Sequence, residues 1–470
     1  MTVASGGPQV ASDGWRRNVW AVAAASFLGY TGFTLVMPFL SLFIGELGVT
    51  DVGRVAMWTG LSLGVTPALT AILAPVWGRL GDRFGRKVML ERSMASFVVS
   101  MAATAYASRA WHVLAIRSVQ GVFAGYGSLS VAMAAESAPR DRMPQAIGLV
   151  QTAQRLGPAL GPVIGSALAA FIGLRRGFLA TAVFYAIGLV VVHFTYDDAA
   201  VSHRLNPENP VNAENAVHPV NAVNPVNRPN LANRSNLANP VTFRDVLSFR
   251  NFMLMMAVIF GLQFVDRSFG PVLPLYIQQL GFPDSKVAFV SGTLFSIMAC
   301  TGALGHHFCG RLLRRFPSRF VIASSAVIAS AGCGLLGASA NLWLMSAASA
   351  IFGLGIGAAM TASYSEAGSV IPVGAHGAGF GVLTSASLIG MAASPFVAGA
   401  LGGTSIRTVF FVDLALMAML ALAVRLLMES THDTPGSSPG PQPPVANPQF
   451  PAPSPESPVP SPQVFPTLEA

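Results

Sequence analysis

Twelve stretches of this chain are each about as long and as apolar as a helix must be to cross a hydrocarbon core, roughly 20 residues. They run about 19–44, 57–77, 88–107, 111–135, 146–172 and 177–195, then 252–277, 287–306, 320–340, 342–363, 377–401 and 408–428. Runs this continuous satisfy their own backbone in lipid as helices, and the roughly ten-residue alternation of membrane strands is missing. Of the 470 residues, 52% are hydrophobic and only 10% are charged, against about 25% in an ordinary soluble domain. Most of such a surface must face lipid. The expected fold class is an all-α polytopic membrane protein, and the first run is too long for a cleavable signal peptide.

A net charge of +8 invites a nucleic-acid partner, but the distribution of charge follows membrane orientation instead. With both termini cytoplasmic, the outer loops hold Arg54, Arg109, Arg175, Arg176, Lys286 and Arg407. Arg117, Arg155 and Arg267 lie inside runs, and every other Lys and Arg falls on the cytoplasmic side. The positive-inside rule accounts for that bias, so no nucleic acid is expected. Cys300, Cys309 and Cys333 have neither metal-ligand nor disulfide-framework spacing and read as packing residues. His306-His307 ends the eighth run without further tetrahedral ligands, so it reads as a solvated helix end and no metal is expected. Neither Lys87 nor Lys286 sits in a phosphate-cradling loop; ATP is not the expected driver, and no cofactor is expected.

The halves read as copies. Met37-Pro38-Phe39-Leu40 ends the first run as Gly270-Pro271-Val272-Leu273 ends the seventh. At an offset shorter by one position, Gly78-Arg79-Leu80 maps onto Gly310-Arg311-Leu312 and Trp111 onto Trp343. That second offset also maps Asp82 onto Arg314, Gly85 onto Pro317 and Arg117 onto Ser349. The second copy is therefore expected to keep the fold and lose the charged apparatus. The expected organisation is a cytoplasmic segment at 1–18, six-helix bundles at 19–195 and 251–428, a linker at 196–250 and a tail at 429–470. The linker repeats units such as Asn-Pro-Val-Asn, and the tail is rich in Pro and Ser; neither has the apolar area to fold. Asn233-Arg234-Ser235 has the form of a glycosylation sequon, which a cytoplasmic linker would not use.

Three segments carry a resemblance. Gly78-Arg79-Leu80-Gly81-Asp82-Arg83-Phe84-Gly85-Arg86-Lys87 bridges the second and third runs with four basic side chains and one carboxylate. It resembles the G-x-L-a-D-r-x-G-r-k loop of the major facilitator superfamily. Arg117-Ser118-Val119-Gln120-Gly121 resembles the family's R-x-x-q-G segment. Gly157-Pro158-Ala159-Leu160-Gly161-Pro162-Val163-Ile164-Gly165 is similar to the G-x-x-x-G-P-x-x-G-G segment of its antiporters, with Ser166 where the last Gly is usual. On residue chemistry alone, the first segment is either an electrostatic latch or a topology signal. The third is a flat glycine strip for close helix packing, bent by Pro158 and Pro162.

The resemblance implies the family's fold, twelve transmembrane helices in two six-helix bundles. It implies a conformational gate at Gly78, Asp82, Arg83, Gly85, Arg86 and Lys87, and proton coupling through Arg117, Gln120 and Gly121. Antiporter packing would use Gly157, Pro158, Gly161, Pro162 and Gly165; Arg155 has no place in that pattern. Ionisable groups inside spans are functional candidates by default, which singles out Asp266, Asp413 and Glu136 as proton carriers. Asp266 and Arg267 project about 100° apart on a helix, so they are not expected to share a partner. Tyr30, Gln263, Asp266 and Arg267 are the expected cavity residues. The first span offers Tyr30, Thr31 and Thr34 without the carboxylate that tetracycline exporters carry there.

The function implied is proton-coupled export of amphipathic drug-like compounds by a monomeric multi-pass protein of the inner (cytoplasmic) membrane, working by alternating access. Its partners would be a small-molecule substrate, protons and the bilayer. An uptake permease for a sugar or other metabolite is the alternative on the same fold; it would favour Asn, Gln and Trp where Gly, Ala, Met and Phe predominate. A membrane enzyme lacks any G-x-S-x-G, H-E-x-x-H or paired-Cys constellation to support it, so no enzymatic activity is expected.

Overall fold

A computed structural model describes residues 14–139, 142–197, 251–371 and 376–428. The tail and nearly all of the linker expected above lie outside these residues. The first half contains α1 (Gly14–Leu35), α2 (Leu40–Glu46), α3 (Val52–Phe84), α4 (Arg86–Ala105), α5 (Ala110–Phe123), α6 (Tyr126–Ser137), α7 (Met143–Ile172) and α8 (Leu174–Thr195). The second contains α9 (Phe252–Gln279), α10 (Asp284–Leu313), α11 (Ser318–Ala338), α12 (Leu342–Val370), α13 (His376–Gly402) and α14 (Ile406–Leu427).

Among the described residues, nine helices are long and apolar enough to cross a membrane. The pair α1 and α2, bent by 47° around Pro38, makes a tenth. Pro38 has no N–H to donate, and the chain turns there through Met37 N to Thr34 O at 3.1 Å. The other two spans are interrupted or charged. The fourth run is not one helix, as expected, but α5 and α6, broken at Ala124-Gly125, where Gly125 has φ +132°. The third, α4, opens on Arg86, Lys87, Glu91 and Arg92. The basic bridge is also shorter than its sequence implies. Helix α3 runs through it to Phe84 and only Gly85, at φ +89°, turns the chain into α4.

Helix pairing follows the repeat. In the first half α1 packs on α7 and α8, α3 on α5, and α4 on α8. In the second, α9 packs on α13 and α14, α10 on α12, and α11 on α14. Two seams join the bundles, α3 with α13 and α7 with α10, and the repeat exchanges one seam for the other. With no hydrophobic drive between helices in lipid, close approach of small residues does the work. A Cβ at Gly53 would stand 2.8 Å from Cα of Gly403, and one at Gly60 would stand 3.0 Å from Cα of Gly399. Across the other seam, a Cβ at Gly292 would lie 2.6 Å from Cβ of Ser166. Ser166 is the residue that departs from the antiporter pattern, and Gly292 supplies the room for it. Ser291 Oγ also donates to Pro38 O at 3.2 Å. These approaches all lie toward the end where α3 and α10 begin, opposite Gly85.

Candidate functional site

At the Gly85 end, the basic side chains tie the first bundle together. Arg86 Nη2 lies 3.0 Å from Glu136 Oε1, joining α4 to α6. Lys87 Nζ donates to Tyr196 O at 2.7 Å and His193 O at 3.2 Å, meeting carbonyls left free at the end of α8. Glu91 Oε1 is 3.3 Å from His193 Nδ1. Arg83 lies over the ring of Phe84, 5.4 Å from its centroid. Gly78 and Asp82 fall in the last turns of α3, and the Asp82 side chain lies outside the described residues.

The second half makes a related contact without the basic partner. Ser318 occupies the repeat position of Arg86 and donates through Oγ to Glu366 Oε2 at 2.6 Å. Glu366 is only 6% exposed, and its Oε1 has no hydrogen-bond partner among the described residues. Register hid the correspondence. Glu366 falls two positions short of where the repeat would place a copy of Glu136.

Deeper in the first bundle, Arg117 is 1% exposed. Its Nη1 donates to Gln120 Oε1 at 3.1 Å, while Thr66 Oγ1 donates to the Arg117 carbonyl at 2.9 Å. Arg117 Nε and Nη2, Gln120 Nε2 and the Tyr185 hydroxyl are buried without hydrogen-bond partners among the described residues. Burying such donors unpaired is costly. Aromatic rings surround them, with Tyr30 against Tyr126 at 5.3 Å and Phe97 against Tyr126 and Tyr185 at 5.5 and 5.0 Å between centroids. Gly121 is where α5 meets α3: a Cβ there would lie 2.9 Å from Cα of Thr66.

The glycine strip of α7 lies on α1. A Cβ at Gly157 would stand 2.7 Å from Tyr30 Cβ, one at Gly161 2.7 Å from Thr31 O, and one at Gly165 2.9 Å from Cα of Leu35. Pro158 and Pro162 sit inside α7, which continues past both.

The three carboxylate candidates occupy separate environments. Asp266 and Arg267 pair with each other, with Arg267 Nε 3.3 Å from Asp266 Oδ2. Their side chains are 33% and 25% accessible. Arg267 also lies close enough to Tyr30, on the other bundle, to act on it electrostatically. The pair lies in the middle of α9, where a lipid-facing position would cost several kcal/mol. Gln263, one turn away, donates to Ser387 Oγ of α13 at 2.7 Å. Asp413 is not brought to this group: it is 1% exposed in the second bundle's core and accepts a hydrogen bond from Ser268 Oγ. Glu136 is held by Arg86 at the far end.

Two features escaped the sequence reading. His306 is not a solvated end; its Nδ1 lies 2.6 Å from Thr361 Oγ1 of α12. Arg155 of α7, exposed, acts on it electrostatically across the seam. The second is an aromatic clamp at the break in the fourth span. Arg92 stacks 3.5 Å from the Trp77 ring centroid and 5.5 Å from that of Phe123, while Trp77 Nε1 donates to Val122 O at 2.6 Å.

Comparison with known proteins places this geometry. The model of the Major Facilitator Superfamily matches residues 22–336 and 308–465. The chain is 28% identical over 312 residues to a multi-drug resistance efflux pump PmrA homolog of Lactococcus lactis, covering 66% of this chain and 69% of that protein. It is 31% identical over 318 residues to multidrug resistance protein MdtG of Yersinia enterocolitica, covering 67% and 70%. A bacterial homolog of the human lysosomal transporter Spinster, solved inward-facing and occupied, superposes with a TM-score of 0.66 at 14% identity, covering 87% of this chain and 96% of that one. The human organic anion transporter MFSD10 superposes at 0.56 with 18% identity, covering 87% and 99%.

Proposed function

This chain belongs to the Major Facilitator Superfamily, and from that premise we propose that it exports amphipathic drug-like compounds across the inner membrane in exchange for protons. The observation that carries the reading is the charged pair Asp266–Arg267, accessible at mid-membrane between two bundles that meet near the opposite end of the seams from Gly85. The basic residues around Gly85 support a cytoplasmic side for that end and for both termini. The space then opens inward, where export must load its cargo. The relatives named as multidrug efflux pumps support the direction.

Asp266 is the proposed carrier, because it is accessible where Asp413 is sealed. Arg117 and Gln120 anchor the first bundle's share of the coupling, and the Gly85 segment gates the rocking of one bundle on the other. Energy suffices: a proton moving inward through about 100 mV releases about 2.3 kcal/mol, which sustains a roughly fifty-fold gradient of a neutral solute.

Everted membrane vesicles test the reading. A respiring preparation should accumulate a cationic dye, a protonophore should release it, and Asp266→Asn should lower the rate at least about tenfold with the protein still in the membrane. Dye movement indifferent to both an imposed pH difference and an imposed voltage would sink it.

A further inference from the structure

The Asp266–Arg267 pair allows a step beyond simple exchange, one that rests on the export reading only for the location of the cargo. The two side chains occupy one turn of α9 and hold each other at 3.3 Å. Their accessibilities of 33% and 25% leave both within reach of a molecule in the space between bundles. Arg267 Nε has no hydrogen bond among the described residues, so the contact is an ion pair without a locked geometry. Such a pair can be opened from either side.

Consider each charge of cargo in turn. A cation that settles on Asp266 needs the carboxylate ionised, so it competes with a proton for the same oxygen atoms. An anion that settles on Arg267 takes the guanidinium from Asp266. The carboxylate then loses its counter-charge and gains an anionic neighbour, and both changes favour its protonated form. Linkage is reciprocal, so protonating Asp266 must favour the anion by the same factor. Arginine's planar fork suits a carboxylate, sulfonate or phosphonate, and the partly accessible pair needs no rearrangement of α9 to present it.

We infer that the charge of the cargo sets the sign of proton coupling at this pair: organic cations on Asp266 displace a proton, whereas organic anions on Arg267 recruit one. Cations are exchanged for protons and anions travel with them, giving the protein a second transport mode for anionic amphiphiles. The neighbouring groups do not duplicate the switch. Tyr30 of α1 is within electrostatic range of Arg267, and Gln263 with Ser387 of α13 is uncharged. Asp413 of α14 is turned into the bundle core on Ser268. Arg155 of α7 acts electrostatically on His306 of α10, away from the pair.

Tetraphenylphosphonium and tetraphenylborate make the test, because they share shape and neither titrates. The full chain in weakly buffered detergent solution is mixed with each ion from about pH 5 to about pH 8 while proton release or uptake is recorded and binding is followed by calorimetry. Release with the phosphonium and uptake with the borate, neither exceeding one proton per chain, is the expected result. Asp266→Asn should abolish both signals, and Arg267→Gln only the uptake. Arg267→Lys should restore the uptake in part, which a merely structural role for Arg267 does not predict. Signals of the same sign overturn the inference, as does failure of the borate to bind. So does a pair of signals that survives Asp266→Asn and disappears in His306→Gln. Opposite signals in a chain that shows no gradient-driven transport in vesicles would instead overturn the export reading and leave the linkage standing.

Discussion

The fourth span and its copy, the tenth, began as one design and now do different things. The tenth is a single helix, Leu342–Val370, and glycines keep it straight against its neighbours. A Cβ at Gly355 would lie 3.0 Å from Cα of Ala329 on α11, and one at Gly357 would lie 3.0 Å from Cα of Gly302 on α10. In the fourth span, Phe123 stands where the tenth has Gly355, and Gly125 is the counterpart of Gly357. Phe123 joins Trp77 and Arg92, whose own counterparts are the small Cys309 and Ser324. The bulky clamp takes the room that the second half gives to backbone contact. The helix yields beside it, Gly125 adopts φ +132°, and Trp77 takes up the freed carbonyl of Val122. The same contact survives at the top of both spans, since Gly121 meets Thr66 as Gly353 meets Met298, each residue of one pair standing at the repeat position of the other. The two spans therefore part in packing beyond Gly121 and Gly353.

That comparison can be broken by substitution. Gly357→Leu should do most damage, because its Cβ would meet backbone that cannot swing away; a loss of about 3 kcal/mol or more is expected. It would appear as a collapsed monodisperse peak and a lowered melting temperature in detergent. Trp77→Ala should cost about 2–3 kcal/mol through lost packing and an unmet carbonyl, whereas Cys309→Ala, its counterpart, should cost about 1 kcal/mol or less. Equal melting shifts for the two would show that the clamp is not what distinguishes the halves.

Gly125→Ala should cost about 1–2 kcal/mol, the penalty for a side chain at that positive φ. If it raised stability instead, the break would be an option of the chain and not a requirement. The smallest effect on stability is expected for Arg117→Met. Replacing a poorly satisfied buried charge by an apolar side chain of similar length is often neutral or favourable, so the melting point should hold within about 1 kcal/mol. Vesicle efflux should nevertheless fall at least about tenfold. A variant that melts normally and still pumps would make Arg117 a structural residue only.

Much of this was legible before any coordinates. A hydrocarbon solvent judges a segment by composition, nearly residue by residue, so the spans and their helical character follow from the runs themselves. The duplicated pattern likewise marks α1 with α9 and α5 with α12 as equivalents. The glycines of α7 announce a close approach, although only packing names Tyr30, Thr31 and Leu35 as what they approach.

What the chain alone determined is therefore which segments enter the membrane as helices and where charge is carried within them. Partnership was decided only by tertiary structure: Arg86 with Glu136, Ser318 with Glu366, Asp266 with its own neighbour, and Asp413 shut away with Ser268. The reason is one of range. Insertion into lipid sums local preferences, whereas a side chain's partner depends on how helices far apart in sequence rotate and cross, and an offset of two positions was enough to hide Glu366 from the repeat.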